Sequence, residues 1–406
     1  MFENLVNQEA GESLKSDIQK NLLPGALLFS GAVASGKLTA ALEVARVLSC
    51  TASPRGIWEC NCKACLQSKS LTTSNIMLMG PRDCSLEIAL AKDTFLKAVK
   101  DNVDYLIGPR YLFIRSVRKL TLRFNDILWR GDSNLNKLGN IIEEINEYLE
   151  LIDVSRPLPE YEELEKICDK LVTLTLKLEN DFLYDSIPIN QVRNMEEWAH
   201  IKSENGKKTV IIENADRMLA GVRNALLKIL EEPPSDCIFI LLTSKRNAIM
   251  QTILSRVRTY NFIDRSLELQ RDVITRVFHN DYFNGSINEY LLTFLPIPPG
   301  DIKEQADIFY NAIANRQIPD IPDIVKKCGN FKPGLELRLF LNDLVKNQKH
   351  LRTTQQGAEF CYESLAIFRK CVDNITLYNQ TPTSSLEILL RDLSTLNVQH
   401  GGIMKL

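Results

Sequence analysis

The sequence has no excess of charge of either sign: 49 lysines and arginines stand against 51 aspartates and glutamates, a net charge of −2. That excludes a protein that coats nucleic acid through general basicity and leaves any DNA contact to a local patch. No apolar run is long enough to span a bilayer, so no membrane segment is expected. The start, Met1-Phe2-Glu3-Asn4, lacks the basic residues of a signal peptide, and a cytoplasmic chain is expected. A disordered chain is excluded by 45% hydrophobic and 25% charged residues. A single ordinary core is excluded by 406 residues, so two or three domains are expected. Disulfides are not expected either, because the ten cysteines of a long cytoplasmic chain are mostly reduced core residues. The exception is one cluster, between Cys50 and Cys65.

What is present is organised around residues 207–260. Thr209-Val210-Ile211-Ile212 reads as a strand buried on both faces, followed by the polar cluster Glu213-Asn214-Ala215-Asp216 at the end where an α/β sheet opens onto its crevice. Val222, Leu226, Ile229 and Leu230 lie at helical spacing, and Pro233-Pro234 stops that helix. Ile238 to Leu242 forms a second buried strand ending in Thr243 and Ser244, and 249–258, carrying Ser255-Arg256, is predicted as a helix.

Near the N-terminus the strand Ala26–Ser30 runs into Gly31-Ala32-Val33-Ala34-Ser35-Gly36-Lys37-Leu38-Thr39 and then a helix. Strand, glycine loop and helix form the context of a phosphate-binding loop, whose amides and helix N-terminus converge on one anion. The loop is defective, because Leu38 stands where a Ser or Thr would ligate Mg²⁺. Thr39 comes one position late, which on a helix turns its hydroxyl about 100° away. Phosphate binding and a turn kept only for the fold both remain open. Cys50, Cys60, Cys62 and Cys65 place four thiolates within 16 residues, enough to close a tetrahedral structural zinc site; decayed free thiols are the alternative.

Farther on, Ile141, Ile145, Tyr148, Leu149 and Ile152 form one amphipathic stripe and Leu164, Ile167, Leu171, Leu174 and Leu178 another. A proline turn at Pro157 and Pro159 joins them as a helical hairpin. Arg110, Arg115, Arg118, Lys119, Arg123, Arg130 and Lys137 precede an acidic run from Glu143 to Glu165; the two read as complementary solvated faces on packed helices in preference to a nucleic-acid contact. After Asn261 the pattern is helical throughout, with a candidate hinge at 318–323.

The stretches VIIENADRM, RNALLKILEEPP, FILLTS and ILSRVR resemble the core of the AAA+ subunits of bacterial clamp loaders. The resemblance implies an α/β AAA+ (P-loop NTPase-like) domain with a parallel sheet, followed by an all-helical lid and a helical collar. The expected bounds are 1–262 for the α/β domain, with the zinc module at 50–65 and a helical insertion at about 100–184, then 263–330 and 331–406. In active members of the family the first of these strands ends in Asp-Glu, where Glu213 and Asn214 stand here, and an amide cannot accept the attacking water's proton. These departures point to the family's non-hydrolysing delta-prime branch, a stator that works while the complex loads the sliding clamp on primed DNA. Gly31, Gly36, Lys37, Thr39, Glu213, Asn214 and Thr243 then mark a degenerate nucleotide site where ATP binding is left open. Arg256 matches the family's arginine finger, which acts on a neighbouring subunit's ATP; a cap on its own helix or a pair with a surface carboxylate is the alternative. The family's zinc pattern has a cysteine at the position of Glu59, so Cys60 is displaced by one. Partners implied are the gamma/tau and delta subunits, the sliding clamp, and primer-template DNA through the assembled complex. One rival is a gamma/tau-type motor ATPase, which an intact Lys-Ser/Thr and Asp-Glu would indicate; a second is a general DNA-repair or helicase AAA+ protein, which an additional domain would indicate.

Overall fold

Continuous apolar runs set the sheet of this protein, whose computed structural model describes all residues except 204–205, 332–333, 377, 379 and 405–406. Its strands are β1 (Ala26–Gly31), β2 (Ile76–Met79), β3 (Lys208–Ile212), β4 (Cys237–Thr243) and β5 (Arg258–Phe262). They pair in the order β2-β3-β4-β1-β5, every pair parallel. Central strands of such a sheet are covered on both faces and so tolerate no alternation of polar residues. Every residue of β3 and β4 is buried accordingly. This is the α/β architecture expected of an AAA+ domain.

The helix predicted over 249–258 is corrected by the structure. Only the turn α10 (Gln251–Leu254) is helical, and Arg258 already begins β5. The reason is a period of two: Tyr260 and Phe262 point inward against Phe29, with ring centroids 5.8 and 5.2 Å away, while Asn261 between them faces out. Neither β5 nor the four-residue β2 was predicted as a strand.

Helices α1 (Ala10–Gln19), α2 (Lys37–Ser49), α3 (Lys63–Ser70), α4 (Ser85–Lys100), α5 (Ile107–Thr121), α6 (Leu135–Leu151), α7 (Tyr161–Phe182), α8 (Ile189–His200) and α9 (Ala220–Glu231) surround the sheet strands in chain order. The two amphipathic stripes became α6 and α7, which bury Leu138, Ile145 and Leu149 with Leu164, Leu171 and Leu178 in one apolar cluster and are linked by Lys170 and Glu144 at 2.9 Å. Of their basic forerunners, Arg130 and Lys137 are exposed, and several others are engaged inside the fold. Arg110 donates to the carbonyls of Ile152 (3.0 Å), Asp153 and Arg156 (2.7 Å), Arg115 to those of Ser68 (3.1 Å) and Lys69 (2.7 Å), and Lys119 pairs with Glu87. Arg110 and Arg115 thus serve backbone carbonyls and Lys119 a carboxylate outside the acidic run, instead of the complementary solvated faces expected from the charge pattern.

Contacts divide the chain into two units, Met1–Leu291 and Leu292–Leu406. The second is built from helices Pro299–Ala314, Ile321–Lys327, Leu335–Asn347, Gln355–Thr376 and Pro382–Gln399 around Phe309, Phe340, Phe360 and Leu389. The candidate hinge at 318–323 starts one of these helices: Pro322 falls in its first turn, and the Asp320 side chain caps it by accepting from Asp323 N at 3.0 Å. Among the described residues no helix is long and apolar enough to cross a membrane.

Candidate functional site

The loop after β1 leads into α2 through Gly36, whose φ of +91° suits glycine. Lys37 does not reach outward. Its Nζ donates to the carbonyl of Gly31 at 2.7 Å, to that of Ala32, and to Ser35 Oγ at 3.2 Å. Burial lowers its pKa to about 8, against the opposing pull of Glu213. Arg265 donates to Ala34 O at 3.0 Å, so a second cation is fastened to the same loop. Leu38 is buried in the apolar cluster that includes Phe2 and Leu5 and offers no oxygen, while Thr39 is part-exposed one place along α2.

The end of β3 is the most heavily engaged part of the site. Glu213 is buried between two guanidiniums: Arg82 Nη1 donates to Oε1 at 2.7 Å and Arg123 Nη2 to Oε2. Arg82 also holds Glu87 at 2.6 Å, and Lys119 holds Glu87 from the other side. Arg82 is itself buried enough to favour the neutral form, yet Glu213 and Glu87 push its pKa up; Lys119 and Arg82 likewise hold Glu87 below the usual carboxylate range against burial. Three cations thus face two carboxylates, and neither carboxylate is free for a divalent ion. Gly80 makes the approach possible: with φ at +102°, a Cβ there would lie 2.3 Å from Glu213 O.

Asn214 adopts a left-handed conformation (φ 50°) and donates from Nδ2 to Pro81 O at 2.6 Å. Thr243, at the end of β4, donates to Asp216 Oδ1 at 2.7 Å. The sequence-predicted loop and strand-end residues therefore meet at the carboxyl edge of the sheet, as the α/β rule requires. Sequence reading missed Arg82, and placed Arg123 only among a run of basic residues. Arg123 lies 90 positions from Glu213, so no local spacing signals that pair.

Cys50, Cys60, Cys62 and Cys65 converge, with all four sulfurs within 4.8 Å of one another. A tetrahedron with metal–sulfur bonds of about 2.3 Å has edges of about 3.8 Å, and Cys50 Sγ lies 3.8 Å from Cys60 Sγ. The donor set fits a structural metal, and the displaced Cys60 reaches the cluster while Glu59 is exposed. Burial opposes ionisation of Cys62, but hydrogen bonds from the Thr51 and Cys65 amides and from Thr51's side chain outweigh it and bring the thiol down to about 6. Cys65 is pushed up by burial and by its thiol neighbours. The other six cysteines are buried, as core residues should be.

Arg256 lies in the turn between α10 and β5. Nη1 donates to Thr252 O at 2.8 Å, and Nη2 pairs with Glu231 Oε2 at 3.1 Å, a carboxylate with 60% of its side chain exposed.

Compared with known proteins, the family described as DNA polymerase III, delta subunit matches residues 6–121 and 155–266 and passes over 122–154. The match thus runs through 100–121 and 155–184, which the sequence reading had assigned to an insertion. The DNA polymerase III subunit delta' of Bacillus subtilis (strain 168) is 42% identical over 67 residues, 16% of this chain and 20% of that protein. The subunit tau of the same organism is 47% identical over 55 residues, 14% of this chain and 10% of its own length. The chain spans a fifth or less of these curated relatives. A crystal structure of a DNA polymerase III, gamma subunit-related protein from Thermotoga maritima aligns with 56% of this chain and 90% of its own, at 14% identity and a TM-score of 0.27.

Proposed function

Because the chain belongs to the DNA polymerase III, delta subunit family, we propose that it is a delta-prime-type subunit of the clamp loader that does not itself hydrolyse ATP. The observation that carries this reading is the end of β3. Phosphoryl transfer in this class of site needs an acidic shell for Mg²⁺ and a group that orients the attacking water. Here Glu213 is occupied by Arg82 and Arg123, Asn214 offers only an amide already bonded to Pro81 O, and Leu38 removes the hydroxyl ligand. Lys37, folded onto its own loop, gives up the reach that a γ-phosphate would demand.

Arg256 is assigned the trans role, as the finger that enters a neighbouring subunit's ATP site. Its partner Glu231 is exposed, and such surface pairs hold with about 0–1 kcal/mol, so the guanidinium is released at little cost. Cys50, Cys60, Cys62 and Cys65 would hold zinc, which supplies a structural cross-link with no position left for water. Partners on this reading are gamma/tau and delta subunits, the sliding clamp, and primer-template DNA met through the assembled complex, all in the cytoplasm. The same reading divides the chain into an α/β domain (1–262), a lid (263–330) and a collar (331–406).

A gamma/tau-type motor is the other reading, favoured by the likeness to tau over 55 residues. Steady-state ATPase measurements on the purified chain, alone and with primed DNA and clamp, separate the two. No turnover above that of Lys37→Ala is expected. Turnover that is abolished in Lys37→Ala would overturn the stator reading and favour the motor.

A further inference from the structure

Arg46, buried on α2, takes no part in the nucleotide chemistry, yet all five of its N–H donors are engaged. Nε and Nη2 grip the buried Glu43 at 2.8 and 2.6 Å, and Nη2 also reaches Gly56 O at 2.8 Å. Nη1 donates to Ile57 O at 3.0 Å and to Cys65 Sγ at 3.2 Å. Glu43 is fixed in turn, accepting from the Phe2 amide at 3.2 Å. The Trp58 ring lies 5.3 Å from the Arg46 guanidinium and 5.4 Å from Lys69 Nζ, which donates to Cys60 O at 3.0 Å.

We propose that Arg46 is a positioning residue for the four-cysteine centre: it fixes the loop that delivers Cys60 and donates a charged hydrogen bond to the Cys65 sulfur. The proposal rests on the zinc reading above. Four thiolates around one divalent ion leave a net charge of −2, and a cationic donor on one sulfur both offsets that charge and sets the direction of the sulfur lone pairs. A salt bridge serving the fold alone would be complete with Glu43. Here the fork is shared between the carboxylate, the backbone of the loop at 56–57 and the sulfur, a division that a lysine's three donors on a flexible stem do not reproduce.

The test uses the full chain with Arg46→Gln and Arg46→Lys. Zinc content is measured directly, affinity by competition with a chromophoric chelator, and the sulfur environment by the thiolate-to-metal absorption of the cobalt-substituted protein. The unmodified chain should bind one zinc. Saturated Arg46→Gln should also bind one, with affinity lower by about 10–100-fold and with a shifted cobalt–thiolate band, and Arg46→Lys should restore only part of the loss. Unchanged affinity and an unchanged cobalt band in a folded Arg46→Gln would overturn the proposal while leaving the zinc reading intact. An unmodified chain without zinc overturns both. If both variants fail to fold even when saturated with zinc, Arg46 is a core ion pair only, and the proposal fails.

Discussion

Replacing Arg123 with methionine removes the more deeply buried of the two guanidiniums on Glu213. The side chains of Arg123 and Glu213 are 2% and 8% exposed, whereas that of Arg82 is 29% exposed. Breaking a buried pair by deleting one partner costs about 3–5 kcal/mol when the remaining charge is left alone. Glu213 keeps Arg82, so the lower end applies, about 3 kcal/mol, including the Gly80 carbonyl left without its donor. Arg82→Met leaves the buried Arg123–Glu213 pair and the Lys119–Glu87 pair standing and removes a partly exposed partner of both carboxylates, so a loss between the surface and buried cases, about 1–2 kcal/mol, is expected. Urea unfolding followed by tryptophan fluorescence reads both, since the Trp129 indole donates to Arg123 O at 2.8 Å and stacks on Phe124 and Tyr184. The midpoint should fall with the slope unchanged. The reasoning is refuted if Arg82→Met costs as much as Arg123→Met, or if Arg123→Met changes stability by less than about 1 kcal/mol. ATPase activity should stay absent in both variants, because Leu38 and Asn214 are untouched.

In a reconstituted clamp loader, Arg256→Ala should leave assembly intact and cut ATPase and clamp-loading rates by about 10³ or more; an unmodified rate rejects the trans role. Chelating the metal should speed amide exchange in α3, and Cys62→Ser with Cys65→Ser should abolish zinc uptake; zinc content unaltered in that double variant would reject the site. Burial pushes the Glu179 carboxyl up from 4.5 to about 7, against hydrogen bonds such as the one from Cys84 N at 3.0 Å. A carboxyl with a raised folded pKa binds its proton more tightly when folded, so its contribution is complete below about pH 4.5 and is lost as pH rises through about 7. Glu179→Gln should therefore stabilise the protein by about 1–3 kcal/mol at pH 8 and have little effect at pH 4. Equal stability of the two proteins at pH 8 would reject this assignment.

The strands β1, β3 and β4 could be read from the sequence because strands covered on both faces must be apolar throughout, and such runs stand out. Arg258 to Phe262 could not: its alternation is short, and it follows Ile253, whose spacing to Val257 imitates a helix. The cysteine cluster was legible despite its shifted register, because four thiolates within 16 residues have few other uses. Leu38 and Asn214 were visible as departures from a motif. What blocks the end of β3 was not visible, since Arg82 and Arg123 reach Glu213 across 131 and 90 residues of chain. Contacts at such separations come from tertiary packing, and composition records only that the arginines exist.

The strand order also bears on how the chain emerges from the ribosome. β1 is made well before its two neighbours, β4 and β5, with Ala26 opposite Phe239 and Leu27 opposite Arg258. Roughly 210 residues separate it from the nearer partner, and at about 5–20 residues per second that is a delay of about 10–40 s. During that interval Leu27, Leu28 and Phe29 have no strand to pair with on either edge. Helices α1 and α2 share an apolar cluster with Leu27 and Phe29, but a nascent chain stalled before β4 would present the unpaired edges of β1 to chaperones, or to other nascent chains.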